Sequence, residues 1–112
     1  MHFRFKFWQY PIESLLLSLN WNEEDLNDAH DIFEIFDNKL EQKEEKISWS
    51  SFESQLKSKF NIGYQTVKQV INAFYKNSQW IDVCYHYAKA YKTVEFHQLI
   101  RDYENKLQML EH

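Results

Sequence analysis

A chain of 112 residues with a single glycine, Gly63, and a single proline, Pro11, has few ways to turn sharply. Hairpins between strands draw on glycine, Asn-Gly pairs and proline for their tight turns. A sequence this poor in both is expected to be mostly helix. The expected class is therefore all-α, a compact array of five or six helices forming one domain over residues 1–109. Residues 110–112, Leu-Glu-His, read as the remnant of a C-terminal affinity tag, and Glu111 and His112 are left out of the functional argument.

The length suits one domain, and a chain of this size buries roughly two-thirds of its unfolded surface. Nine Phe, seven Tyr and four Trp supply the core, since aromatic rings bury large areas each. Cys84 is the sole cysteine, so no internal disulfide can form. Glu13 and Asn20 bracket the apolar stretch near the N-terminus, and no small-residue cleavage site follows, which argues against a signal peptide. The longest uninterrupted apolar run in that stretch, Leu15–Leu17, is far short of a membrane span. A cytoplasmic protein with no membrane association is expected.

Charge is unevenly placed. Residues 1–53 hold five Lys or Arg against twelve Asp or Glu, whereas residues 54–93 hold six Lys against Asp82 alone. The first half is a poor surface for nucleic acid and the middle a possible one.

Helical spacing marks the elements. Phe3, Phe5 and Phe7 alternate with His2, Arg4 and Lys6, which suits either a short strand, with Val94-Glu95-Phe96 its one candidate partner, or an extended arm on the helices. Pro11 fits a first helical turn, and Ile12, Leu15, Leu16 and Leu19 carry that helix to about 19. Asn20 and Glu23 form a capping-box pattern ahead of Leu26, Ala29, Phe33, Phe36 and Leu40. Ser50 and Glu53 form another ahead of Phe52, Leu56 and Phe60. Asn61-Ile62-Gly63 is expected to turn, with Gly63 taking a positive φ. Further helices are expected over about 64–76, 79–92 and 96–107.

Enzymatic motifs are few. One glycine cannot cradle a phosphate. Cys84 falls on an apolar stripe, where a free cysteine acts as a small hydrophobe. His30 with Glu34, and Asp82 with His86, share helix faces at i,i+4 spacing, but the Glu-x-x-His pattern of helical di-iron sites is missing. Residues 37–52 faintly resemble a calcium loop, yet its last ligand would be Ser51, where calcium wants a bidentate glutamate. No metal, cofactor, small-molecule ligand or catalytic residue is indicated.

The most specific pattern is SQLKSKFNIGYQTVKQVIN, beginning at Ser54. With Glu53 ahead of it, the segment 53–72 resembles the helix–turn–helix of bacterial repressors and related DNA-binding domains. Leu56, Phe60, Ile62, Val67 and Val70 match the buried positions of that family, and Asn61-Ile62-Gly63 falls on its turn. Lys57 stands where a small residue is usual, and Asn61 where glycine is. The resemblance implies that 64–76 is a recognition helix. Gln65, Lys68, Gln69 and Asn72 follow i, i+3, i+4, i+7 spacing and would form its outward face. Glutamine and asparagine pair with adenine, and lysine reaches guanine or phosphate. Lys57, Lys59 and Lys76 would add contacts to the DNA backbone.

A different class of function fits the same composition. Tyr75, Tyr85, Tyr91, Trp8 and Trp21 exceed what one side of each helix can hide, and exposed aromatic clusters mark partner surfaces. Two readings follow: a non-enzymatic interaction or regulatory domain that binds another protein or itself, and a helix–turn–helix DNA binder.

Overall fold

The structure is a computed structural model that describes residues 11–110. Six α-helices follow one another among those residues: α1 (Pro11–Leu19), α2 (Glu23–Glu41), α3 (Trp49–Phe60), α4 (Tyr64–Lys76), α5 (Ile81–Tyr91) and α6 (His97–Leu110). No helix among the described residues is long and apolar enough to cross a membrane. The alternating Phe3, Phe5 and Phe7 lie outside the described residues. Their suggested partner is no strand: Val94–Phe96 forms one 3-10 turn, because Phe96 must point inward, where it is fully buried.

α4 is the centre of the array. Val67, Val70, Ile71 and Phe74 are fully buried, and α1, α3 and α5 all pack against this helix. α2 lies against both α3 and α5, and α6 against α5. Aromatic rings fill the space between α2, α3 and α4. Phe33 meets Phe52 edge-on at 5.1 Å and Phe74 at 4.7 Å, while Phe36 meets Phe52 at 5.0 Å and Trp49 at 5.7 Å. Such offset and edge-on pairs add to the gain from burial alone.

The ends of the helices correct several expectations. The capping box of α2 uses Asn22 rather than Asn20: Asn22 Oδ1 accepts from the Asp25 amide, and Asp25 returns the bond to the Asn22 amide. Asn20 sits at φ 57° in the turn before it. α3 is capped by Ser48 instead of Ser50, its Oγ accepting the Ser51 amide at 3.1 Å. Gly63 is extended at φ −93°, and Asn61 takes the left-handed conformation at φ 52°. Asparagine tolerates that backbone, so the turn reverses two residues earlier than expected. With glycine absent elsewhere, Lys43, Ser78, Trp80 and Lys92 also adopt positive φ at helix ends.

The surplus of aromatic rings is mostly absorbed. Tyr75 is only 9% exposed. Trp21 lies on Phe60 at 4.4 Å, and Tyr85 stacks on Tyr103 at 4.0 Å and 10°. Tyr91 packs on Tyr87 at 4.8 Å. Trp21 and Tyr85 are covered by rings of another helix, and Tyr91 by a ring of its own helix. Trp8 lies outside the described residues.

Candidate functional site

The sequence expectation placed Gln65, Lys68, Gln69 and Asn72 on one outward face of α4, and the structure divides them. Gln65 and Gln69 are exposed. Lys68 is not: it retains 6% exposure, with its Nζ 4.4 Å from the Tyr64 ring centroid and 3.7 Å from Glu95 Oε1. Asn72 Nδ2 donates to the Glu95 carbonyl at 3.3 Å. The physical reason is the 3-10 turn 94–96. It brings Glu95 against this side of α4, where a free recognition helix would have only solvent.

The flanking lysines are scattered. Lys59 pairs with Asp28 of α2 at 3.5 Å, and Lys57 lies 5.8 Å from the Tyr64 ring. Lys76, at the other end of α4, is exposed. No single basic strip unites them.

What surrounds the remaining polar face of α4 is two adjoining clefts. The first, about 510 Å³, lies between α4 and α1, lined by Ser14 and Ser18 of α1 against Gln69, Asn72 and Lys76. The second, about 390 Å³, lies between α4 and α6, where Asn72 and Lys76 face Gln98, Asp102 and Lys106. Asn72 and Lys76 belong to both, so they stand on a low ridge between two walls. Pro11 and Leu15 of α1 add apolar surface to the first cleft. The sequence does contain a trace of the α1 wall: Ser14 and Ser18 are four apart on an otherwise leucine-rich helix and so share a side. The α6 wall carries no comparable mark.

The second wall is fixed in place by phenol–carboxylate bonds. Tyr75 Oη donates to Asp102 at 2.6 Å, and Lys106 pairs with the same carboxylate at 3.2 Å. Burial and the bonded carboxylate push the Tyr75 phenol well above its ordinary range. The Tyr75 and Lys106 bonds hold the Asp102 carboxyl below its own. Tyr85 donates to Glu104 at 2.7 Å and Tyr103 to Asp82 at 2.5 Å, tying α6 to α5. Tyr87 of α5 donates to Glu53 of α3 at 2.6 Å.

Of the residues weighed for metal binding, His30 and Asp82 bond to other side chains. His30 Nδ1 accepts from Trp80 Nε1 at 2.9 Å. His86 and Asp82 border a third cleft with Asp37, Glu41 and Tyr103. Among the described residues, no group of three or more His, Cys, Asp or Glu is placed to hold a metal ion. Cys84 is fully buried, with its Sγ 3.4 Å from the Ile71 carbonyl, and burial raises its thiol far above the range in which it would ionise. Comparison with protein-family models, with curated proteins and with solved structures finds no match.

Proposed function

We propose that this all-α domain is a non-enzymatic interaction module whose docking face is the polar ridge of α4 between α1 and α6. One observation carries the reading. Gln69, Asn72 and Lys76 line clefts walled on both sides instead of crowning a free helix. A major-groove reader needs a helix that stands clear enough to enter a groove about 12 Å wide. A recessed, hydrogen-bonding ridge with the apolar Pro11 and Leu15 lining the cleft beside it suits a segment of another protein. Small-molecule sites enclose most of their ligand, and these clefts are open, with polar and apolar side chains mixed in their lining.

The alternative, DNA reading through Gln65, Gln69 and the lysines, draws support from the exposed first turn of α4, where Gly63 leaves the helix amides without a side-chain cap. One experiment separates the two. Gln69→Trp fills the ridge, while Gln55→Trp on α3 serves as a control away from it. The expected result is that a set of bound proteins is lost with Gln69→Trp and kept with Gln55→Trp, with no saturable binding of duplex DNA at physiological salt. Equal capture by both variants, together with duplex binding that falls steeply with salt, would establish the DNA reading instead.

A further inference from the structure

α5 begins in an unusual way. The residue ahead of a first helical turn is ordinarily extended and caps it with a short polar side chain. Trp80 instead sits at φ 53°, ψ 38°, and offers no side-chain cap. That backbone region is unfavourable for an L residue other than Asn or Asp, and at Trp80 a contact outside the turn offsets the cost. The indole provides that contact: its Nε1–H donates to His30 Nδ1 at 2.9 Å. The two rings lie 6.0 Å apart, and the indole also lies 6.5 Å from Phe33. The imidazole itself meets Phe74 of α4 at 5.3 Å.

Imidazole accepts at Nδ1 only when neutral and protonated on Nε2, because imidazolium donates from both nitrogens. We propose that the His30–Trp80 bond is an acid-sensitive latch: a proton taken from solvent onto the His30 Nδ1 lone pair releases the Trp80 indole, and with it the start of α5, from the α2–α4 core. No covalent bond breaks other than that of the proton donor, and Trp80 keeps its own N–H.

The surroundings of His30 favour a closed latch at neutral pH. On α2, Asp31 adjoins it and Glu34 lies one turn further on; α4 presents Phe74, and the carboxylate nearest Trp80 along α5 is Asp82. Burial lowers the imidazole below its ordinary value, and only Asp31 pulls it back. His86, on the same seam between α2 and α5, is the instructive contrast. Its imidazole is also lowered by burial, with Asp82 opposing. Yet it shares its cleft with Asp37, Glu41, Glu44, Asp82, Lys43 and Tyr103. A proton arriving there finds carboxylates already in place, whereas at His30 it meets an N–H donor. Acid therefore opens the Trp80 end of the seam and leaves the His86 end shut.

The test is a titration of the ¹⁵N-labelled full chain from about pH 7.5 to about pH 5, the window of histidine charge change. Its four tryptophans give four indole cross-peaks, and Trp80→Phe identifies the one to follow. The expected result is that the Trp80 indole peak shifts with a midpoint below the ordinary imidazole value while the Trp49 peak stays. In His30→Asn, whose Oδ1 stands near the place of Nδ1 and does not titrate, the Trp80 peak should hold still. Long-range ¹H–¹⁵N spectra of the unaltered protein at neutral pH should show His30 protonated on Nε2, a readout that depends on no variant. A His30 protonated on Nδ1, a Trp80 peak that does not move, or one that moves equally in His30→Asn, would overturn the latch.

Discussion

Between α2 and α3 the protein is held chiefly by aromatic rings, whereas α6 is held to α4 and α5 largely by phenols bonded to carboxylates. Phe33, Phe36, Trp49 and Phe52 touch one another with ring centroids 5.0–5.7 Å apart. Tyr75, Tyr85 and Tyr103 reach Asp102, Glu104 and Asp82 at 2.5–2.7 Å. The difference teaches where this domain can yield. Ring packing fails only when volume is lost, and it ignores pH. A phenol–carboxylate bond depends on which partner holds the proton, so the side of the molecule that walls the candidate docking ridge is also the side that chemistry can loosen.

The comparison breaks first at Phe33. It is fully buried and touches rings on α3 and α4, so Phe33→Ala should cost about 3–5 kcal/mol in chemical denaturation. A loss under about 1 kcal/mol would mean that the ring seam collapses around the hole. Removing a clamp should cost less. Tyr75→Phe or Tyr103→Phe deletes one hydrogen bond and leaves a carboxylate that water can still reach, so about 0.5–1.5 kcal/mol is expected for each.

The clamps also set the response to alkali. The phenols of Tyr75, Tyr85, Tyr87 and Tyr103 are all raised, burial leading except at Tyr85, where the bond to Glu104 comes first. A raised acid binds its proton more tightly in the folded state. Its contribution is complete below the unfolded phenol's pKa of about 10 and disappears as pH rises beyond it. Thermal midpoints should therefore fall steeply above about pH 10, and Tyr75→Phe with Tyr103→Phe should flatten that fall. An unchanged slope in the double variant would remove the clamps from the account. The smallest expected effect has the opposite sign. Lys92 caps α5 at φ 52° and is exposed, so Lys92→Gly should gain up to about 1 kcal/mol by relieving a left-handed backbone. A lower melting temperature in that variant would show that the Lys92 side chain contributes more than its backbone costs.

The helices themselves were legible because apolar residues recur at helical spacing, and five of the six stretches could be bounded within two or three residues of the helices observed. Their caps were less so. Asn20, with Glu23 three residues on, looked like the cap of α2, yet the cap is Asn22, whose amide donates to the Asp25 carboxylate. Gly63 looked like the one residue able to reverse the chain, yet the conformational burden falls on Asn61 and on Lys92, Ser78 and Trp80. Local pattern cannot assign such positions, because the tertiary contacts that stabilise them lie far off in sequence. The face of α4 shows the same limit. Helical spacing correctly placed Val67, Val70 and Phe74 inside, but Lys68 reads as polar and therefore outward. Its burial depends on Glu95, twenty-seven residues later, in a segment that also suited a strand.

The central claim is that the polar face of α4 is partly committed to its own neighbours, and the paired substitutions Lys68→Ala and Gln69→Ala test it most directly. The measurement is the unfolding free energy of each variant beside that of the unaltered protein. Lys68 is buried with its ammonium over the Tyr64 ring, so Lys68→Ala should lose about 1–2 kcal/mol. Gln69 is exposed at the cleft, and Gln69→Ala should stay within about 0.5 kcal/mol. Two silent substitutions, or a loss larger at Gln69 than at Lys68, would return α4 to the standing of a free outward helix and contradict the account.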